Sequence, residues 1–179
     1  MEIGRDLFLS RLVSSHSGNM SLRQGEKLLI TRRGSMLGRL RRDDLVVTGI
    51  FKDDEATPLA SRELAVHRAI YQHTEAGAVI HAHPPHAIAL SLVREEIQPL
   101  DREGKILLAA VPVLSPPPDE VPLSVSLALK EHPIVMVKGH GSFAAGSRLQ
   151  DALLWTSALE ASCQVICVAR DMGLSHQQL

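Results

Sequence analysis

The chain has 179 residues, 45% of them hydrophobic and 22% charged, a globular composition long enough to bury one substantial core and giving no case for a second domain. A formal net charge of −1 removes the electrostatic basis for nucleic-acid or anionic-membrane binding, and an aromatic content of 3% leaves little for base stacking. No apolar stretch approaches bilayer-spanning length and the start, Met1-Glu2-Ile3-Gly4-Arg5-Asp6, is too charged for a signal peptide, so residues 1–179 are expected to form one cytoplasmic domain with a small-molecule partner.

Residues 5–14 read as a short amphipathic helix with Leu7, Phe8, Leu12 and Val13 on one side, ending in a polar loop at 14–19. Residues 20–23 and 27–30 flank Gln24-Gly25-Glu26 and predict a hairpin, from which a basic loop, Thr31-Arg32-Arg33-Gly34-Ser35, departs. A strand is expected over 44–50, followed by an acidic solvated turn at 52–55. Ser61 or its predecessor caps a helix running to about His73, 78–83 is a strand, and Pro84-Pro85 opens the next helix. A strand at 109–114 leads into the stiff Ser115-Pro116-Pro117-Pro118; a helix at about 122–131, a strand at 134–138 and a long helix over about 148–173 follow. This alternation argues for an α/β fold in which helices cover a sheet, and the hairpin argues that the sheet is mixed.

The most pointed feature is His81-Ala82-His83, which ends an apolar strand. Side chains alternate between strand faces, so both imidazoles leave on one side, and Pro84 keeps His83 extended. Two adjacent neutral imidazoles begin a metal chelate. His140, between Gly139 and Gly141 just after an apolar strand, is the strongest third ligand, and three histidines leave a coordination position open for substrate. A catalytic metal needs a proton carrier nearby, and Glu63 is the choice, either beside the bound ion or in its fourth position until substrate displaces it. For an anion, the chain offers Ser17-Gly18-Asn19, the loop at 31–35 and Ser61-Arg62, whose small residues expose backbone N–H groups and whose Arg32, Arg33 and Arg62 could neutralise a phosphate.

The bland readings go elsewhere. Cys163 and Cys167, four apart, form one packed helical face. His16, His67, His73, His132 and His176 are structural or exposed, while His86 plays a supporting or capping role. Tyr71 and Trp155 are packing residues, and the 39–42 cluster is a solvated face or an oligomer contact.

With those residues in place, the chain resembles the class II aldolase/adducin family. The matching pieces are Ser17-Gly18-Asn19-Met20-Ser21-Leu22-Arg23, Ile30-Thr31 with Gly34, Ser61-Arg62-Glu63, Val79-Ile80-His81-Ala82-His83 and Lys138-Gly139-His140-Gly141, in family order across nearly the whole chain. The resemblance implies a three-layer α/β/α sandwich around a mixed, largely antiparallel sheet. It also implies zinc, or another divalent transition metal, on His81, His83 and His140, with Glu63 as alternate ligand and acid/base. Gly18, Asn19, Gly34 and Ser61 would surround a substrate phosphate, joined here by Arg33 and Arg62 where the family's aldolases carry small residues. The implied reaction cleaves a deoxyketose 1-phosphate to dihydroxyacetone phosphate and an aldehyde through a metal-stabilised enediolate, in a homotetramer. Residues 94–110 contain no tyrosine, although the family's aldolases use one from that segment for the aldehyde half. Dehydration of methylthioribulose phosphate, epimerisation of ribulose 5-phosphate or decarboxylation on the same scaffold are the rival readings, with a non-catalytic adducin-like module behind them.

Overall fold

The computed structural model describes residues 1–173, and the expectation for His176 lies outside them. β1 (Asn19–Gln24) and β2 (Lys27–Thr31) form the expected hairpin, and β3 (Leu45–Gly49) pairs antiparallel with β2. The remaining strands are β4 (Ala78–Ala82), β5 (Glu96–Ile97), β6 (Val111–Leu114), β7 (Ile134–Val137) and β8 (Gly141–Gly146). Together they make one eight-stranded sheet in the order β3-β2-β1-β4-β8-β7-β6-β5, antiparallel throughout except between β6 and β7.

Helices cover both faces, as the expected three-layer α/β/α sandwich requires. On one side α1 (Glu2–Leu9), α3 (Pro85–Ser91), α4 (Arg102–Leu107) and α6 (Leu149–Asp171) enclose a core that includes Leu7, Ile80, Ile134, Leu159 and Ile166. On the other side α2 (Leu64–His73) and α5 (Val121–Ala128) pack Val66, Ile70 and Val125 against Ile30, Val79 and Phe143. A strand covered on both faces has no solvent side, so β4 is buried at every position. His81 is the only polar side chain it carries.

Several expectations need correction. The first helix stops at Leu9 because Arg11 takes a left-handed backbone (φ +57°), and Leu12 and Val13 are buried from the loop that follows. The turn at 52–55 is more than solvated: the Asp54 carboxylate accepts from the Thr48 and Thr57 hydroxyls and from the N–H groups of Gly49, Ala56 and Thr57. Those bonds, that from Thr48 foremost, hold its carboxyl below the usual range. β5, α4 and β8 arise where no regular element was expected. Against the expectation that no apolar stretch is of membrane-spanning length, α6 is long and apolar enough to cross a bilayer. Half of that stretch is buried within the protein, against the sheet and α3, so packing accounts for part of its apolarity. The α6 cysteines are free thiols, Cys163 buried and Cys167 partly so, and burial pushes both thiols up.

Candidate metal centre and anion pocket

Strand pairing sets the site. His81 lies opposite Asn19 of β1 on one side and opposite Phe143 of β8 on the other, and its ring stacks on Phe143 at 4.2 Å between centroids. Its Nδ1–H donates to the Ser142 carbonyl over 2.9 Å, which fixes the tautomer and leaves the Nε2 lone pair facing outward. His83, two residues on, brings its own Nε2 to 2.9 Å from that atom, a spacing at which two imidazoles share a proton or converge on one cation.

His140 arrives from a turn between β7 and β8. Its N–H donates to the Val137 carbonyl, and the N–H of Gly139 donates to Ser91 Oγ at the end of α3. Gly141 is required by proximity: a Cβ there would fall 2.4 Å from the Ala82 carbonyl oxygen and 2.9 Å from His83 Cδ2. With only hydrogen at that position, ring nitrogens of His81, His83 and His140 lie within 4.8 Å of one another.

Glu63 is the N-cap residue of α2, yet its side chain makes no capping bond. The Glu63 N–H donates to Ser61 Oγ, the N–H groups of Val66 and His67 are taken by the Glu63 backbone carbonyl, and the carboxylate, without a hydrogen bond among the described residues, has Oε1 4.0 Å from His140 Nε2. Burial, then the neighbouring His83 and His140, push His81 well below its ordinary pKa; burial and His140 lower His83 to about 4. Both rings are therefore neutral near pH 7, the form that ligates metal. Three converging imidazoles, one of them oriented by a backbone carbonyl, with an oxygen donor close by, fit a divalent transition ion with an open position.

The cluster forms one wall of a cavity of about 360 Å³. Gly18, Asn19, Arg33, Gly34, Ser61 and Arg62, all expected near an anion, line the same space as Glu63 and the three histidines. Backbone bonds join the two basic loops: Arg33 N–H donates to the Leu59 carbonyl, Ser61 N–H to the Thr31 carbonyl, and Arg32 bridges to Ala60. Ser17, Arg32 and Ser35 also line it, as does His16, which is exposed as expected but faces the cavity mouth.

Two supporting arrangements lie outside the cavity. Behind Asn19, His67 Nε2 is 2.6 Å from Asn19 Oδ1 and His67 Nδ1 is 2.6 Å from Ser21 Oγ, which is in turn 2.7 Å from the Tyr71 hydroxyl. Tyr71, expected only to pack, thus also makes a polar bond. Past His83, the buried Glu160 carboxylate on α6 accepts from the backbone N–H groups of His86 and Ala87 and so caps α3, while the His86 ring, expected in a supporting or capping role, lies with Nδ1 2.6 Å from that carboxylate and caps no helix itself.

The family model for the "Class II Aldolase and Adducin N-terminal domain" matches residues 1–167. The chain is similar to the L-fuculose phosphate aldolase of Methanocaldococcus jannaschii, 28% identical over 92% of each chain. It is also similar to the methylthioribulose-1-phosphate dehydratase of Methylococcus capsulatus, 29% identical over 89% of this chain and 87% of the relative. Among solved structures, the L-fuculose-1-phosphate aldolase of Thermus thermophilus superposes with a TM-score of 0.90 at 38% identity, covering 96% of this chain and 92% of that one. Fold, cavity and likeness agree, and the chain belongs to the class II aldolase and adducin N-terminal family, whose aldolases are metal-dependent lyases acting on phosphorylated sugars.

Proposed function

We propose that this chain, one domain over residues 1–179, is a zinc-dependent aldolase that cleaves a deoxyketose 1-phosphate of the L-fuculose 1-phosphate kind into dihydroxyacetone phosphate and an aldehyde. The observation that carries the reading is the free Glu63 carboxylate, 4.0 Å from His140 in a cavity that holds both the histidine cluster and the basic loops. His81, His83 and His140 are the metal ligands, with Glu63 able to take the fourth place until substrate arrives. Bound there, zinc supplies the Lewis acid that stabilises negative charge on the ketone half.

The chain's own groups do the rest. Gly18, Asn19, Gly34 and Ser61 offer donors to the phosphate, and Arg33 and Arg62 add charge. Holding that non-reacting end fixes the reacting carbons against the histidine cluster, converting remote binding energy into orientation. Glu63, released from any capping duty, carries the proton between carbon and solvent. On the family's pattern, the working assembly is a homotetramer in the cytoplasm.

The test supplies zinc-loaded protein with a panel of ketose phosphates and follows dihydroxyacetone phosphate release by a coupled assay. Release by the wild type, and its loss in Glu63→Gln at unchanged zinc content, is the expected result. A second reading, dehydration of methylthioribulose 1-phosphate, is favoured by the Methylococcus relative and by the lack of tyrosine over 94–110. Turnover of that substrate with silence across the aldol panel overturns the aldolase reading.

A further inference from the structure

Asn19 stands in the cavity wall beside the histidine cluster and the basic loops, and its side chain is engaged at one end only. Oδ1 lies 2.6 Å from His67 Nε2, whereas among the described residues the amide nitrogen has no hydrogen-bond partner and is not sealed from the cavity. Which end faces the cavity decides what binds there, because an NH₂ group donates to an anion and a carbonyl oxygen repels one. The two ends exchange by a half-turn of the last torsion, so something must hold the choice.

Proton accounting along the buried chain behind Asn19 identifies what does. Tyr71 is buried, and burial pushes its phenol well above the ordinary value, so the hydroxyl keeps its proton. Among the described residues that proton has one acceptor, Ser21 Oγ at 2.7 Å. Ser21, receiving it, turns its own hydrogen to its other neighbour, His67 Nδ1 at 2.6 Å. His67 accepts at Nδ1, so its single ring proton sits on Nε2 and is donated to Asn19 Oδ1. The ring is fully buried and neutral, its pKa lowered by burial to about 3. The opposite tautomer would direct Nδ1–H at Ser21 as well, leaving either the Ser21 or the Tyr71 hydroxyl proton without an acceptor in a dry interior, and would turn the Asn19 oxygen into the cavity.

We propose that His67 is a positioning residue for anion binding: with Ser21 and Tyr71 it locks the Asn19 amide so that its NH₂ group donates to the substrate's phosphate. The proposal rests on the reading of this cavity as a phosphate site. The buried chain holds His67 in one tautomer whether its role is structural or positioning. What sets a positioning His67 apart is that its loss weakens phosphate binding at unchanged zinc content.

The experiment uses the full-length, zinc-loaded protein and two readouts. Long-range proton–nitrogen NMR of the histidine rings, taken without phosphate, reports the His67 tautomer; a protonated Nε2 with a bare Nδ1 is expected, and the reverse overturns the inference without any variant. Calorimetric titration with inorganic phosphate then compares wild type with Tyr71→Phe and His67→Leu. Loss of a hydrogen bond to a charged group predicts affinity weakened by about tenfold or more in His67→Leu, and by a smaller factor in Tyr71→Phe, at unchanged zinc content. Affinities within about twofold of wild type in both variants overturn the inference. A wild type that binds no phosphate overturns the phosphate reading itself, and with it the ligand named here.

Discussion

Acid should expose the cost of burying His67. Its ring is fully buried with a pKa of about 3 against an ordinary 6.5, and burial is the cause. As pH falls through 6.5 the unfolded chain takes up a proton on this ring, while the folded protein does not until about pH 3. Across that window the unfolded state binds the extra proton, so stability declines as pH declines, by about 1.4 kcal/mol per pH unit and by about 5 kcal/mol over the whole span. His81 shifts in the same direction, so the wild-type profile mixes several groups; the difference between wild type and His67→Gln cancels those they share. Urea unfolding at about pH 7 and about pH 5 should show the wild type losing about 2 kcal/mol more than the variant. Parallel losses in the two proteins would refute the reasoning, since they would mean that the ring is as free to protonate folded as unfolded.

Three further substitutions probe the scaffold around the cavity. His83→Ala removes one of three converging nitrogens, and zinc content measured after dialysis should fall from stoichiometric to a small fraction; retention of the full complement would show that His83 is not a ligand. Gly141→Ala forces a Cβ to within 2.4 Å of the Ala82 carbonyl oxygen, and should cost about 1–3 kcal/mol in urea unfolding and lower zinc affinity as β4 and β8 part. Wild-type stability and affinity together would contradict the close approach. Glu160→Ala leaves the buried N–H groups at the start of α3 without their acceptor and should cost about 1–3 kcal/mol by thermal or urea unfolding, with no loss of zinc in the folded fraction.

The parts of the fold that were legible in the sequence are those with strong periodicity or punctuation. The hairpin shows through its glycine turn, β4 through its unbroken apolar run, α3 through Pro84-Pro85, and α6 through its length. β8 was not legible: Gly141-Ser142-Phe143-Ala144-Ala145-Gly146 has little intrinsic strand preference and is extended because it is wedged between β4 and β7. Its small residues reflect that crowding, as at Gly146, where a Cβ would strike the Trp155 ring. For the cavity, a period of two placed His81 and His83 together, and flanking glycines singled out His140. Glu63 was legible as a candidate, but its uncommitted carboxylate was not, because an N-cap side chain ordinarily turns back to the first-turn N–H groups, and here two of those bond the Glu63 backbone carbonyl instead. His67 looked structural because its partners Asn19 and Ser21 come from β1, far away in the chain, and only strand pairing reveals them.

The position of β4 between β1 and β8 bears on the order of events during folding. His81 and His83 are neighbours in the chain and present even an unfolded polypeptide with a loose pair of nitrogens, but His140 joins them only when β8 has crossed to pair with β4. That closure spans some sixty residues and carries the loop-closure entropy of a non-local contact. A bound ion therefore has little to hold until the sheet is complete. It would act as a latch rather than a template, slowing the rate at which the native sheet opens while leaving the rate of its assembly nearly untouched.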